Sequence, residues 1–240
     1  SIERGRKDTK ESSMIMNTSF FLICVCALLL MAVGMIFAKP ILLLFGSSEN
    51  GLIYAYPYLM IYLLGTFPSM VSTGMNPFIN AQGYATTGMF SVAIGAIANL
   101  ILDPVFIFVF GLGVKGAAIA KVISQAVGAL WILRFLTGKK TILRLKKENL
   151  RLERNIIGPC LGLGISTFVM LSTESILSMS FTSSLAKFGG DLAVGAMTII
   201  TSTSQLILMP LQGICQGGQP IISFNYGAKN NERVKKAFFI

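Results

Sequence analysis

The sequence predicts an all-α integral membrane protein, a polytopic bundle of six transmembrane helices, and its composition is the first reason. Hydrophobic residues make up 53% of the 240 residues, whereas charged residues make up only 12%. Soluble domains are about one-quarter charged, so a chain this poor in charge is typical of a membrane-embedded protein.

The second reason is that long apolar runs separate the charged residues. Each run approaches or exceeds the roughly 20 residues that an α-helix needs to cross the hydrocarbon core. The short alternating strands of an outer-membrane barrel would give a different pattern. The six predicted transmembrane helices are Met14–Phe37, Gly51–Tyr84, Ala85–Phe110, Ala117–Leu133, Ile156–Ala186 and Leu192–Tyr226.

The third reason is the placement of the 20 basic residues. Four lie in the first ten residues, eight between Arg134 and Arg154, and four in the last twelve. If successive helices cross the membrane, these segments share one side with the turn at Gln82–Tyr84, and Ser47, Gly113 and Lys187 lie on the other. The positive-inside rule then predicts that the basic segments are cytoplasmic. The net charge of +10 is assigned to topology and to contact with the lipid bilayer, and nucleic acid is excluded as a partner.

The basic stretch 138–155 divides the chain into four predicted helices before it and two after it. Ile142, Leu145 and Leu152 recur at near-helical spacing among Lys and Arg residues. Two interpretations are open, an interfacial amphipathic helix or a solvated linker, and the solvated linker is favoured.

An internal repeat links the two ends of the chain. "SIERGRKDTKESS" from Ser1 resembles "SFNYGAKNNERVK" from Ser223, with Ser, Gly and Lys at matching places before an Asp or Asn. The chain begins in a polar loop and ends where an apolar run begins, so it is expected to be a fragment of a longer protein. Two similar bundles facing one another around a midplane site are a common transporter architecture.

Three segments carry a resemblance to a known family: "MNPFINAQG", "NLILDPVFIFVFGLGVKGAAIAKVISQ" and "MPLQGICQGGQPIISFNYGAK". They closely resemble the multidrug and toxic compound extrusion (MATE) family, and among its branches the bacterial MepA-like exporters. The resemblance implies twelve helices in two lobes of six, of which this chain supplies helices three to eight. Residues 1–137 would be the remainder of the first lobe, 138–155 a basic cytoplasmic linker, and 156–240 the start of the second lobe.

The resemblance also implies a function and a set of partners. Such a protein exports amphipathic, often cationic, drugs across the plasma membrane by alternating access. Its coupling ion is Na⁺ or H⁺, and no other cofactor is expected. The missing helices of the same full-length chain would complete both lobes.

Asp103 interrupts an apolar run in "NLILDPVFIFVFG" and is the first candidate for cation coupling. A carboxylate at the centre of a spanning helix costs about 2.5–3.5 kcal/mol on insertion scales, so it must face the bundle interior and find partners. Asn99 lies one turn earlier on the same helical face. Lys121 follows a short turn at a depth about one helical turn away, which predicts an Asp103–Lys121 pair. The resemblance implies that Asn99 and Asp103 belong to a polar cluster that binds the coupling ion, and that a threonine more often stands at the place of Lys121.

Glu174, in "LSTESILSMSF", is the second candidate for cation coupling. A carboxylate among hydroxyl and carbonyl oxygens can ligate Na⁺ or carry a proton, and the resemblance implies a glutamate of the cation site at this place. The alternative is a helix-packing glutamate satisfied by neighbouring serines. The further candidates for the polar network and the substrate cavity are Ser172, Thr173, Ser175 and Ser178 around Glu174, together with Lys121 and Asn76 in the first half.

Other classes of protein fit the sequence less well. Histidine is absent, so these residues contain neither a Ser–His dyad nor an H-E-x-x-H zinc site, and an enzyme is disfavoured. A lipid-linked oligosaccharide flippase would line its cavity with arginine or lysine, for which only Lys121 is a candidate. A channel or scaffold is disfavoured by the repeat.

Overall fold

The computed structural model describes residues 1–44, 49–138, 141–145 and 154–239, and it divides into two compact units, Ser1–Leu152 and Glu153–Ile240. Every regular element in these ranges is helical, as the composition predicts. The elements are α1 (Ile2–Gly5), α2 (Thr9–Leu44), α3 (Glu49–Leu64), α4 (Thr66–Ala81), α5 (Ala85–Pro104), a π-helical turn (Val105–Val109), α6 (Gly113–Thr137), α7 (Arg154–Gly227) and α8 (Asn231–Phe238).

Five helical segments in the described ranges are long and apolar enough to cross a membrane. They are Thr9–Leu43, Ala85–Val109, Gly113–Thr137, Ile156–Leu185 and Leu192–Gly227. The remaining predicted helix, Gly51–Tyr84, consists of two 16-residue helices, α3 and α4, that meet at Gly65. Pro68 explains the break, because it has no N–H to donate to the Leu64 carbonyl, where α3 ends.

The end of α5 is irregular for a similar reason. Pro104 cannot donate to the carbonyl four residues earlier, and beyond it the chain widens into the π-helical turn. The N-terminus of α6 then packs directly against this turn. A Cβ built on Gly116 would lie 2.5 Å from the carbonyl oxygen of Phe106, so the close approach of the two backbones requires glycine at this position.

The core of the first unit lies between α2, α4 and α6. It is formed by Met16, Val71, Met75, Ile79, Ala129, Ile132 and Leu136, with Leu143 added from the segment that follows α6. Small residues line the contact between α5 and α6, where Gly95 faces the carbonyl of Ser124. Small side chains let membrane helices approach closely, so this contact is typical of helices packed in a bilayer.

The start of the predicted linker is packed against the first unit. Thr141 and Leu143 are only 5% and 4% exposed, and residues 141–145 are not helical. Thr141 and Leu143 are therefore buried where a solvated linker would expose them, and residues 141–145 do not form the amphipathic helix of the alternative. Residues 139–140 and 146–153 of the stretch lie outside the described residues.

The two copies of the internal repeat have the same backbone turn. Lys7 and Lys229 have φ values of 64° and 58°, and they are the two non-glycine residues with positive φ in the described chain. The next residue, Asp8 or Asn230, caps the following helix: its side-chain oxygen accepts a bond from the N–H three residues on, at 2.8 Å and 3.3 Å. The repeat seen in the sequence is therefore also a repeat of local structure.

The second unit consists of α7 and α8. The 74-residue α7 is broken at Gly190, whose φ of 64° and ψ of −168° are far from helical values. We call the two resulting spans the first arm (Ile156–Leu185) and the second arm (Leu192–Gly227). Most apolar side chains of both arms are exposed, so this unit requires lipid or further helices around it.

Candidate cation and substrate sites

Asn99 and Asp103 lie half-buried on the last two turns of α5. The Nδ2 atom of Asn99 is buried and has no hydrogen-bond partner. A buried donor without a partner costs about 1–3 kcal/mol, so native structures keep such groups rarely and for a reason. The amide of Asn99 therefore has a donor that no described residue uses.

The predicted pair between Asp103 and Lys121 is not formed. Their charged groups are more than 4.0 Å apart, and the structure gives neither side chain a hydrogen bond or ion pair. The reason is the face of α6 on which the lysine lies. Gly116, Ala120 and Ser124, spaced four residues apart and buried, form the row of α6 that faces α5, and Lys121 is one residue away from this row. The predicted similarity in depth is not sufficient, because Lys121 lies outside the row of α6 that packs against α5.

Asn76 forms hydrogen bonds elsewhere. Its Nδ2 donates to the carbonyl of Gly88 at 2.9 Å and to the Ser91 hydroxyl at 2.7 Å, and its Oδ1 accepts from Asn80 at 3.0 Å. These bonds tie α4 to the first turns of α5. Ser91 lies two turns before Asn99, about 12 Å away along the helix, so the structure does not bring Asn76 to the Asn99–Asp103 site.

Asn80 and Ser91 were missed by the reasoning from sequence. The spacing of the two asparagines in "NPFIN" is the signal that could have identified the cluster, since residues four apart on a helix lie on one face.

Glu174 lines a groove of about 400 Å³ between the two arms of α7. The groove is lined by Glu174, Leu177, Ser178, Phe181, Thr182 and Leu185 from the first arm, and by Val194, Met197, Thr198 and Thr201 from the second. Of the predicted hydroxyl residues, Ser178 lines this groove. Ser172, Thr173 and Ser175 are not among the lining residues, and the hydroxyls of Thr173 and Ser175 donate to carbonyls of their own helix at 2.8 and 2.9 Å.

The sequence reasoning missed the threonines of the second arm. Thr198 and Thr201 lie in "TIITSTSQ", a hydroxyl-rich row that could have been recognised as the partner of the row around Glu174. Each of these two hydroxyls donates to a carbonyl of its own helix, at 2.8 and 2.9 Å. The lone pairs of both oxygens therefore stay available as acceptors beside the groove.

No ion pair between Glu174 and a described basic group is present. The Nζ atom of Lys187 instead lies 5.6 Å from the centroid of the Phe188 ring, beyond the end of the first arm. The described residues contain no group of three or more His, Cys, Asp or Glu side chains that could hold a metal ion. A hard cation such as Na⁺, which takes oxygen ligands, would be held here by one carboxylate with hydroxyl oxygens.

A comparison with protein families places the chain in a known family. The MatE family model matches residues 1–105 and 166–240. The chain belongs to the MATE family. This membership, with helical elements throughout the described ranges, confirms the predicted family and fold class.

Curated relatives include two MATE proteins from staphylococci. The chain is similar to the multidrug export protein MepA of Staphylococcus haemolyticus (strain JCSC1435) at 25% identity, and to that of Staphylococcus aureus (strain bovine RF122 / ET3-1) at 23% identity. Each match extends over 231 residues, which are 96% of this chain and 51% of the relative. The chain therefore spans about half the length of the curated relatives that it matches.

Solved structures show the same fold. A crystal structure of MATE in the bent conformation matches with a TM-score of 0.89 at 23% identity, over 98% of this chain and 53% of that chain. A MOP superfamily transporter from Pyrococcus furiosus, described as having a binding pocket of reverse polarity, matches with a TM-score of 0.90 at 23% identity, over 98% and 52%.

Proposed function

We propose that the complete protein is a cation-coupled antiporter that exports amphipathic, cationic drugs across the plasma membrane by alternating access. The coupling ion is Na⁺ or H⁺, with no other cofactor. The basic segments at residues 1–10, 134–154 and 229–236 face the cytoplasm, where they contact anionic lipid. Support comes from membership of the MATE family and from similarity to proteins named as multidrug exporters.

The groove at Glu174 is the observation that carries this proposal. A carboxylate without a basic partner faces hydroxyl oxygens from both arms of α7, and apolar side chains such as Phe181 and Met197 complete the lining. The oxygens suit a cation, and the apolar side chains suit the hydrocarbon part of an amphipathic molecule. Since drug and coupling ion are both cationic, one carboxylate can exchange one for the other.

The Asn99–Asp103 site provides a second carboxylate for coupling in the first unit. Asp103 has no ion-pair partner among the described residues, and the free amide of Asn99 lies one turn away. Lys121 reduces the affinity of this site for a cation, because an ammonium on the neighbouring helix repels positive charge. Glu174 is therefore the stronger candidate for the cation site.

Transport by the complete protein in everted membrane vesicles tests the proposal. An outward Na⁺ or H⁺ gradient is imposed separately, and uptake of a fluorescent cationic dye is measured with each. We expect uptake that depends on one of the two gradients and is abolished in Glu174→Gln. If neither gradient drives uptake of the dye, and the protein translocates a lipid-linked oligosaccharide, the flippase alternative is established instead.

A further inference from the structure

Residues 141–145, which we call the docked segment, follow α6, bend at Ile142 and Leu143, and pack against the α4–α5 turn and the end of α6. Thr141 and Leu143 are buried and Leu145 packs against the core, whereas Ile142 and Arg144 are exposed. The bend at Ile142 and Leu143 directs the amides of these two successive residues to the same side. The segment has no sheet beside it, so its backbone groups must find other partners.

Gln82, in the turn between α4 and α5, provides those partners. Its Oε1 accepts bonds from the Thr141 hydroxyl at 2.6 Å, from the Ile142 amide at 2.9 Å and from the Leu143 amide at 3.0 Å. Its Nε2 donates to the carbonyl of Phe78 at 3.1 Å, which fixes the orientation of the amide. Gln82 itself is only 3% exposed. One buried side chain therefore satisfies two backbone amides of the docked segment.

Further bonds hold the other end of the docked segment. The amide of Leu145 donates to the carbonyl of Leu136 at 3.1 Å, and Nδ2 of Asn17 on α2 lies 3.4 Å from the carbonyl of Arg144. The guanidinium of Arg4 donates to the carbonyl of Ala81, next to Gln82, at 2.6 Å. The segment is thus bonded to α2, to α6 and to the α4–α5 turn.

We infer that Gln82 is a positioning residue for transport, because it holds residues 141–145, the first part of the connection to α7, on the α4–α5 turn. Loss of docking would free the seven peptide steps from Gly138 to Leu145, which reach at most about 24 Å. The connection to α7 would then start from a less defined place. This role rests on the proposed function, whereas the docking itself does not.

Docking is tested on the complete protein with Gln82→Met, which keeps the shape of the side chain and removes its acceptor. Trypsin cleavage after Arg144 and hydrogen exchange of the Leu145 amide are the readouts; the Leu145 amide bonds to the carbonyl of Leu136 and not to Gln82. Three hydrogen bonds of ordinary strength are lost, so we expect both rates to rise about 100-fold. Gln125→Met, the same change on α6 away from the segment, is the control and should leave both rates unchanged.

A second variant covers the case in which Gln82→Met does not fold. Thr141→Val removes a single hydroxyl donor, and we expect both rates to rise about threefold to tenfold. Unchanged cleavage and exchange in the folded variants would show that the segment stays docked without Gln82, and this would overturn the inference.

Transport distinguishes the positioning role from docking alone. In Gln82→Met we expect the maximal efflux rate to fall about fivefold, with an unchanged KM for the drug, since Gln82 lines neither candidate site. Insertion of six Gly and Ser residues after Leu145 should cause the same loss of efflux while cleavage after Arg144 stays slow. Wild-type efflux in the insertion variant would reject the positioning role. Failure of the wild-type protein to transport would reject the proposed function and leave the docking results unaffected.

Discussion

Asn76 and Asn99 lie in neighbouring helices of the first unit, and their hydrogen bonding is opposite. Asn76 uses both ends of its amide within the protein, whereas the Nδ2 of the half-buried Asn99 has no partner. A polar side chain with all its bonds made stabilises helix packing. One with a free buried donor costs stability, and it is a better candidate for binding a ligand.

Alanine substitution of the two asparagines should therefore affect stability and efflux differently. We expect Asn76→Ala to lower the free energy of unfolding by about 1–2 kcal/mol, since bonds between membrane helices contribute about 0.6 kcal/mol each on average. Asn99→Ala should leave it unchanged or raise it, because no bond is lost and an unpaired buried donor is removed, but it should reduce efflux. Thermal unfolding of the purified complete protein and vesicle transport measure the two effects. Equal destabilisation by both variants would contradict this assignment.

Glu174→Gln is the decisive substitution in the second unit. Glutamine keeps the size and hydrogen-bonding capacity of the side chain but has no charge to exchange with a cation. We expect the variant to insert and fold, to bind a cationic drug more weakly because the carboxylate is gone, and to lose gradient-driven efflux. Efflux at the wild-type rate, with unchanged dependence on pH and Na⁺, would reduce Glu174 to a packing residue.

Substitution of the hydroxyl residues near Glu174 should affect ion dependence only where the residue lines the groove. Thr201 lines it from the second arm, whereas Thr173 bonds its own helix and is not among the lining residues. We expect Thr201→Val to weaken the dependence of efflux on the coupling ion at least threefold and Thr173→Val to leave it unchanged. Titration of efflux against ion concentration is the measurement. The same response in both variants would show that the groove does not define the cation site.

At the scale of elements, the contact between α6 and the π-helical turn is the least tolerant of change. A Cβ on Gly116 would lie 2.5 Å from the backbone oxygen of Phe106, which cannot move without its helix. We expect Gly116→Ala to destabilise the complete protein by about 1–3 kcal/mol, as overpacking does. Gly95→Ala is the matched control on the same interface, since its Cβ would lie at 3.4 Å from the carbonyl of Ser124 and fit. Unfolding curves that rank the two variants in the other order would refute this packing.

Hydropathy was sufficient to place the elements, but not to define their interruptions. It located all five long spans, because apolar length is a property of composition alone. Hydropathy predicted α3 and α4 as one helix. Pro68 breaks this helix because it lacks an N–H, but it leaves the run apolar, so hydropathy does not detect the break. The docked segment was also missed: its lysines and arginines suggested a solvated linker, and the alternation of Thr141, Leu143 and Leu145 is a period of two within only five residues.

The candidate sites were predicted in part, for a related reason. Sequence identifies carboxylates in apolar runs, and it estimates their depth from a rise of 1.5 Å per residue. It does not identify the face of a helix that meets its neighbour, and therefore the Asp103–Lys121 pair was wrong. Thr198 was missed because its place opposite Glu174 depends on the break at Gly190, which folds the two arms together.

At the scale of the whole molecule, the basic residues predict which ends of the helices face the cytoplasm. Single cysteines in a variant lacking the four native cysteines test this prediction. An impermeant maleimide applied to intact cells should label Gly113→Cys and Lys187→Cys, and should not label Gly83→Cys or Lys235→Cys until the cells are lysed. Labelling of Gly83→Cys in intact cells would invert the topology.

The turn shared by the two ends of the chain has a consequence for the ancestry of the protein. A lysine with positive φ is uncommon, and the chain has two, Lys7 and Lys229. Each is followed directly by a residue whose side chain caps the next helix. Two copies of an unusual conformation in the same setting indicate duplication of one ancestral gene segment. Six predicted membrane crossings separate the copies, and an even number preserves orientation. The ancestor could therefore be duplicated and fused in tandem without either copy having to invert in the membrane.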